Sequence, residues 1–202
     1  MPSSLFQNQM QVSIEGLIGV GKTTVLQELV KRRYSVAFEN VDEWSLLPKM
    51  YSTRDPKISA LFEIQILCSL AAREPVDFTE RSISSALGVF MPQLIHDQDH
   101  VALIRQVVAL ASNEQPDVFV YLEADPQLCL RRIGNRQRKG EEGISLQYLR
   151  DLHAAHLQWL QTIPHIRILV QEDDSPAQIA SKIEAGLKQW KEEQVKGYGY
   201  FS

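Results

Sequence analysis

The stretch Gly-Leu-Ile-Gly-Val-Gly-Lys-Thr occupies residues 16–23 and decides the fold. It matches the pattern GxxxxGK[ST] in full, and it lies between a short apolar segment at residues 12–15 and a helical segment that begins at Lys22. Glycines let the backbone of such a turn curl until successive N–H groups point at phosphate oxygens, and the positive end of the following helix adds to that field. We therefore predict a phosphate-binding loop, whose glycines are Gly16, Gly19 and Gly21.

The side chains that follow the glycines predict a nucleoside triphosphate as the ligand. A lysine in the position of Lys22 reaches the β- and γ-phosphates, and a hydroxyl in the position of Thr23 can bind Mg²⁺. We include the neighbouring Thr24 among the phosphate-binding residues. A regulatory GTPase would also carry the sequences NKxD and DxxG, and neither occurs in this chain. Kinases and ATP-driven machines remain, with ATP and Mg²⁺ as the cofactors.

Short apolar segments alternate with helical ones along the chain, which is typical of a parallel sheet covered on both faces. The class predicted is α/β, a P-loop NTPase-type three-layer fold with a five-stranded parallel sheet flanked by helices. It forms a single domain over residues 1–202, with residues 191–202 as a loose tail. The predicted strands are residues 12–15, 35–39, 75–79, 118–123 and 166–170.

Composition excludes several classes of function. The 202 residues carry a formal net charge of −4, which disfavours general binding of nucleic acid. No apolar stretch approaches the ~20 residues that span a bilayer, so no membrane association is expected. The first eleven residues lack Lys, Arg and an apolar core, and therefore do not resemble a targeting signal. Cys68 and Cys129 are best explained as buried apolar residues in a reducing compartment, so we expect a cytoplasmic protein.

Two acidic positions follow predicted strands. Glu39 ends the second strand, which we expect beside the first, and a carboxylate there could accept the proton of an attacking hydroxyl. A solvated loop acid is the alternative. Glu80 and Arg81 close the third strand, where the acid could bind Mg²⁺ and the arginine a phosphate, and an ordinary surface pair is the alternative.

The one dense basic cluster of the chain lies between residues 131 and 139. Arg132 and Arg136 are four residues apart and share a helix face, and Arg138 follows them. Because Glu141 and Gly143 come next, the segment resembles a mobile charged lid over residues 132–143. Arginines closing over ATP would stabilise the transferred phosphoryl group and exclude water. The alternative is a solvated basic face.

These segments together resemble the deoxynucleoside kinase family. The resemblance rests on IEGLIGVGKTT, ENVDEW, ERS and the long stretch YLEADPQLCLRRIGNRQRKGEEGISLQYLRDLHAAH, and it extends from about residue 11 to residue 190. It implies transfer of a phosphoryl group from ATP to the 5′-hydroxyl of a deoxynucleoside. It also implies a homodimer whose partners are small molecules only.

The resemblance implies a role for each matching residue. Glu39 becomes the general base, with Arg81 and Lys22 beside it as catalytic residues, and Thr23 and Glu80 become the metal ligands. Gly16, Gly19, Gly21, Lys22 and Thr24 bind ATP together with the lid arginines Arg132, Arg136 and Arg138. The residues implied in nucleoside binding are Glu39, Trp44, Met50, Tyr51, Gln65, Arg81, Ala86 and Glu141.

The chain departs from the family in the helix that reads the base. The family has a glutamine directly after a phenylalanine, whereas Glu63 follows Phe62 here and Gln65 comes two residues later. Residues two apart on a helix point about 200° apart, so only one faces the pocket. We predict Gln65, with Arg73 near the base edge; a buried Glu63 would have to be protonated or paired.

The substrate is predicted from one small residue. Ala86 lies five residues after Arg81, where the thymidine-tolerant members of the family carry alanine and the deoxycytidine-preferring ones aspartate. A methyl group leaves room for a substituent at C5 of a pyrimidine, which favours thymidine or a broad set of pyrimidine deoxynucleosides. Two alternatives stay open: a thymidylate-type monophosphate kinase, and a nucleotide-binding module without catalytic activity.

Overall fold

The computed structural model describes residues 10–53, 55–110, 116–138 and 140–198. Within these ranges the strands form a five-stranded sheet in the order β2-β3-β1-β4-β5, with every pair parallel. The predicted five-stranded parallel sheet is thereby confirmed. Its members are β1 (Val12–Gly16), β2 (Val36–Ala37), β3 (Phe78–Glu80), β4 (Val118–Glu123) and β5 (His165–Leu169).

Helices flank the sheet, and several begin where the sequence supplies a cap. Ser145 accepts a hydrogen bond from the backbone N–H of Tyr148, and Asp125 caps the helix that Pro126 opens. The helices are α1 (Lys22–Lys31), α2 (Leu47–Thr53), α3 (Pro56–Ala71), α4 (Ile83–Ser85), a π-helical turn (Ala86–Phe90), α5 (Met91–Leu94), α6 (Gln98–Leu110), α7 (Pro126–Arg136), α8 (Leu146–Leu160) and α9 (Pro176–Tyr198).

The C-terminal end differs from the prediction of a loose tail. Helix α9 continues to Tyr198, so residues 191–198 are helical, and residues 199–202 lie outside the described chain. Trp190, the last residue before the expected tail, packs against the larger apolar cluster and so anchors the start of the extension. Across the described ranges, no helix combines the length and the apolar character that a bilayer crossing requires.

The strand order corrects the expected neighbour of Glu39. Strand β3 lies between β2 and β1, because Phe78 pairs with Val36 on one side and with Val12 on the other. Strand β2 also stops at Ala37, so Glu39 follows the strand and does not end it. The apolar pattern of a segment identifies a strand, but packing of the crossover helices selects its neighbours. Glu80 ends β3, and β3 is the strand directly beside β1. It is therefore Glu80, and not Glu39, that ends the strand next to the one leading into the phosphate-binding loop.

Two apolar clusters position the functional site. The larger one surrounds β1 and β4, whose residues are almost all buried, as expected for central strands of a parallel sheet. The smaller one joins α2, α3 and α6 around Trp44 and Phe62. Cys129 is buried as predicted, but Cys68 is exposed because it lies on the side of α3 that faces away from Phe62.

Candidate active site

The phosphate-binding loop has a backbone that requires glycine at two of its positions. Gly16 and Gly19 have φ of 143° and 86°, in the left-handed region that favours glycine. A Cβ atom at Gly16 would lie 2.6 Å from the carbonyl oxygen of Leu122, and one at Gly19 would lie 2.6 Å from that of Cys129. The sheet and α7 therefore press directly against this loop and fix its shape.

Lys22 is held inside the loop. Its Nζ donates hydrogen bonds to the carbonyl oxygens of Gly16 at 3.1 Å and of Leu17 at 3.2 Å. Burial lowers the pKa of Lys22, and the nearby cation of Arg81 lowers it further. An anion that enters the loop stabilises the charged form of Lys22, because its negative charge offsets both the burial and the repulsion from Arg81.

Glu80 connects three parts of the site. One carboxylate oxygen accepts a hydrogen bond from Thr23 Oγ1 at 2.8 Å, and the other accepts one from the backbone N–H of Glu39 at 3.4 Å. Glu80 is buried at the end of β3. This single side chain thus ties the first turn of α1 to the segment that follows β2.

Glu39 and Arg81 form a buried ion pair beside the loop. Arg81 Nε lies 3.1 Å from Glu39 Oε1, although neither atom has the geometry of a hydrogen bond with any described partner. Burial raises the pKa of Glu39, and Arg81 opposes that change. The Arg81 guanidinium lies 3.6 Å above the centre of the Phe90 ring. Arg81 also has a φ of 63°, a strained conformation of the kind that functional sites retain.

Arg73, which the sequence predicts near the base edge, lies outside the cavity lining and contacts backbone carbonyl groups. Its guanidinium donates hydrogen bonds to the carbonyl oxygens of Phe38 at 3.0 Å, Glu80 at 2.7 Å and Arg81 at 3.1 Å. A planar guanidinium can satisfy three converging carbonyl oxygens, and three of its five N–H donors are directed to the backbone here. Arg73 holds the segments that carry Glu39, Glu80 and Arg81.

A single cavity brings most of the predicted residues together. One end is formed by the loop and the start of α1, through Gly19, Gly21, Lys22, Thr23 and Thr24. The middle is formed by the charged groups Glu39, Glu80 and Arg81. The other end is mainly apolar, and its walls include Trp44, Met50, Tyr51, Phe62, Ile66 and Leu94.

Aromatic rings shape the apolar end. Trp44 meets Phe62 edge to face with ring centres 5.6 Å apart, and the Trp44 indole N–H has no hydrogen-bond partner among the described residues. Tyr51 meets Tyr148 in the same manner at 6.4 Å, and burial raises the pKa of Tyr51. The sequence analysis missed Tyr148 and Phe90. The position of Tyr148 just after the predicted helix cap at Ser145 was the available signal.

The lid residues are ordered by one carboxylate. Glu141 is buried and accepts two hydrogen bonds from Arg136, from Nε at 2.9 Å and from Nη2 at 2.6 Å. Arg138 lies 3.8 Å from the same carboxylate, and all three side chains line the cavity. Lys139 of the basic cluster lies outside the described residues.

Arg132 lies outside the cavity lining, unlike the other two predicted lid arginines. It donates hydrogen bonds to the carbonyl oxygens of Val20 at 2.9 Å and of Gln171 at 3.4 Å. Arg132 lies one turn before Arg136 on α7. At that turn the helix is next to the phosphate-binding loop, so Arg132 reaches the backbone at Val20. Its contact supports the backbone of the loop from outside the cavity.

Three residues considered for base recognition, Gln65, its alternative Glu63, and Ala86, all lie outside the cavity lining. Gln65 is half-buried and lies outside the cavity lining. Glu63 is 0% exposed and lies on the buried face of α3, near Arg81 and Glu39. Ala86 is fully buried in the smaller apolar cluster, which also contains Trp44 and Phe62. Gln65 was preferred because its spacing places Arg73 two turns later near the base edge, whereas the structure buries Glu63 on the inner face of α3.

Comparison with protein families gives one match over nearly the whole chain. The family described as deoxynucleoside kinase matches residues 12–195. The thymidine kinase of Ictalurid herpesvirus 1 is 31% identical, over 80% of this chain and 78% of that protein. The deoxyadenosine kinase of Dictyostelium discoideum is 30% identical, over 86% and 78%. Deoxycytidine kinase 2 of Gallus gallus is 29% identical, over 78% and 76%.

Solved structures share the fold. A structure of deoxyadenosine kinase from M. mycoides with the products dCMP and a flexible dCDP bound has a TM-score of 0.74 at 19% identity, and it covers 89% of this chain and 99% of that chain. A structure of the same enzyme with bound dATP has a TM-score of 0.69 at 21% identity, covering 87% and 98%.

Proposed function

Because the chain belongs to the deoxynucleoside kinase family, we propose that it transfers the γ-phosphoryl group of ATP to the 5′-hydroxyl of a pyrimidine deoxynucleoside, thymidine among them. One observation carries the proposal. The phosphate-binding loop, the carboxylate of Glu39 and the aromatic side chain of Trp44 all line the same cavity. A triphosphate, a sugar hydroxyl and a planar base would meet these three features in that order.

The donor phosphates bind at the loop. The backbone N–H groups and Lys22 surround the β- and γ-phosphates, as the loop sequence and its left-handed glycines favour. Arg136 and Arg138 approach from the lid and stabilise the charge of the transferred group. Arg132 supports the loop through its hydrogen bond to the Val20 carbonyl oxygen.

Glu39 acts as the general base, and Arg81 aligns it. A base is most effective when its pKa approaches the working pH, and burial raises the pKa of Glu39 in that direction. Arg81 forms an ion pair with the Glu39 carboxylate and can also contact the transferred phosphoryl group. Proton transfer is late in a loose transition state, so positioning contributes as much as basicity.

Thr23 and Glu80 would hold Mg²⁺. The Thr23 hydroxyl at the start of α1 and the Glu80 carboxylate at the end of β3 are in contact, and both are hard oxygen donors of the kind that Mg²⁺ prefers. Among the described residues no group of three or more His, Cys, Asp and Glu could hold a metal alone. That fits a metal which takes few protein ligands and completes its shell with phosphate oxygens and water. When bound, Mg²⁺ neutralises charge on the phosphates.

The sugar and base occupy the apolar end. Tyr51 and Glu141 bind the 3′-hydroxyl, and their side chains reach the cavity from α2 and from the lid. Trp44 and Met50 contact the sugar and base, and the unpartnered indole N–H of Trp44 is available to a ligand. Thymidine is supported by Ala86, whose small side chain belongs to the same apolar cluster as Trp44 and Phe62.

The proposal also covers the domain organisation, the oligomeric state and the cellular location. We propose one domain, because both apolar clusters surround one cavity, and a homodimer formed through α3 and α6. Leu61 and Ile64 on α3 are 52% and 40% exposed, and Leu103 and Val107 on α6 are 58% and 56% exposed. Rows of exposed apolar side chains usually mark an interface. A cytoplasmic location fits the free thiols of both cysteines.

A panel of substrates tests the function. The protein is incubated with ATP and Mg²⁺ and, separately, with the four natural deoxynucleosides and their 5′-monophosphates, and products are separated by chromatography. We expect 5′-monophosphates, with the highest kcat/KM for thymidine and deoxycytidine. Phosphorylation of monophosphates alone would identify a thymidylate-type kinase and overturn the proposal. Turnover of purine deoxynucleosides alone would overturn the pyrimidine assignment.

A further inference from the structure

Glu63 is a buried acid with no partner in the described chain. Its side chain is 0% exposed, and neither carboxylate oxygen makes a hydrogen bond. Buried polar atoms are almost always satisfied, so an acid with two unsatisfied oxygens requires an explanation. Desolvation of a carboxylate is costly unless the group binds a proton or a ligand supplies the missing hydrogen bonds.

The position of Glu63 relates it to the cavity. On α3, Phe62 and Ile66 line the apolar end of the cavity, and Glu63 is about 60° around the helix from Ile66. Gln65 is about 100° from Ile66 in the opposite direction. Glu63 therefore belongs to the buried face of α3 that includes the cavity wall.

The charged and titratable groups that face Glu63 belong to three other segments. They are Arg81 after β3, Glu39 after β2 and Tyr148 on α8, and each of them lines the cavity. Burial raises the pKa of Glu63 to about 8, Arg81 opposes the change, and Glu39 adds to it. Arg81 cannot compensate Glu63 fully, because it is already paired with Glu39.

We propose that Glu63 is the base-reading residue and that it binds the base as a neutral carboxylic acid, through one O–H donor and one C=O acceptor. The inference rests on the proposed function and deepens it. Thymine offers an N–H beside a carbonyl oxygen, and cytosine offers an amino group beside a ring nitrogen. Each pair is complementary to a protonated acid, which can present its donor and acceptor in either order.

Loss of the proton changes what Glu63 can bind. An ionised carboxylate only accepts hydrogen bonds, so it repels the acceptor of either pyrimidine edge. Nucleoside affinity should therefore fall as the pH rises through the titration of Glu63. A glutamine keeps one donor and one acceptor in nearly the same shape and does not titrate, so Glu63→Gln separates the hydrogen bonds from the proton.

The test measures KM and Kd for deoxycytidine between pH 6.5 and pH 9.0, at saturating ATP for KM and by calorimetry for Kd. Deoxycytidine is the probe because its base does not change charge in this range. We expect wild-type KM and Kd to rise about tenfold across the range, as linkage to one proton with a pKa of about 8 requires. We expect Glu63→Gln to match the wild type within about threefold at pH 6.5 and to stay constant with pH.

Two further variants complete the test. Glu63→Ala should raise KM at every pH, and Gln65→Ala should change it less. A wild-type Kd that is flat with pH, a pH dependence that persists in Glu63→Gln, or a larger effect of Gln65→Ala would each overturn the inference. Failure of the proposed function is a different result, because the wild type would then phosphorylate no deoxynucleoside even at pH 6.5.

Discussion

Glu39 is buried beside one acid, Glu80, and the cations Arg81, Lys22 and Arg73, and its environment raises the pKa of its carboxylate. Burial raises its pKa, while its carboxylate remains 3.1 Å from Arg81 Nε. We predict that Glu39→Gln retains ATP binding and loses about 10²–10⁴-fold in kcat, the usual contribution of a general base. Steady-state kinetics with the preferred deoxynucleoside, combined with ATP titration by calorimetry, measure both quantities.

Glu43→Gln is the matched control for that variant. Glu43 lies in the same loop but is exposed, so removal of its charge should leave kcat within about twofold. A kcat of Glu39→Gln within twofold of the wild type would remove Glu39 from the role of base.

Glu63 also affects stability, with a defined dependence on pH. Its pKa of about 8 in the folded protein exceeds its ordinary value of 4.5, so the folded state binds more protons between these values. The stability that Glu63 contributes is therefore present at low pH and lost as pH rises through this window. We predict that Glu63→Gln has nearly the wild-type Tm at pH 5 and exceeds it by roughly 10 °C at pH 8.5. Scanning calorimetry at both pH values checks this, and an equal difference at both would contradict it.

The base-reading position on α3 shows which features of the site could be predicted from the sequence and which could not. The apolar spacing of α3 predicts a buried face through Phe62, Ile66 and Leu70, and the structure confirms that face. Glu63 lies within it, but the spacing to Arg73, expected near the base edge, favours Gln65 when only the sequence is considered. Neighbours from β2 and β3 set the environment of Glu63, and no local pattern contains that information.

Arg73 positions two strands relative to each other. Its guanidinium joins the ends of β2 and β3 by donating hydrogen bonds to three backbone carbonyl oxygens. Loss of this contact should shift Glu39 and Arg81 relative to the loop. We predict that Arg73→Ala lowers kcat by at least about tenfold, since small displacements of catalytic groups are costly. KM for ATP should change less. Steady-state kinetics with each substrate varied in turn provides the comparison.

The pH profile of kcat distinguishes positioning from general damage by Arg73→Ala. Arg73 lowers the pKa of Glu39, so its removal should move the acidic limb of the profile to higher pH. Arg73→Lys should restore part of that shift, and Lys57→Ala, at an exposed position of α3, the helix that ends just before Arg73, should show none. An acidic limb identical to the wild type would leave Arg73 with a purely structural role.

Most of the fold follows from the sequence, whereas the arrangement of its parts does not. Buried apolar runs identify β1 and β4, and the glycine-rich turn places the phosphate-binding loop between β1 and α1. The family resemblance carried by these segments is confirmed by the match over residues 12–195. The position of β3 between β1 and β2 could not be predicted, because helix packing determines strand order. The contact of Arg132 with the loop depends on the same packing.

The surface of the whole molecule predicts its assembly. Leu61 on α3 and Leu103 on α6 are each about half exposed, and burying them against a second copy removes apolar area from water. We predict that the wild type has the mass of a dimer in light scattering after size-exclusion chromatography, and that Leu61→Asp with Leu103→Asp shifts it to a monomer. Val195→Asp is the control, because Val195 is 74% exposed on α9, away from the proposed interface, and its change should leave the mass unaltered. A wild-type protein that remains monomeric at tens of micromolar would show that these side chains are ordinary exposed residues.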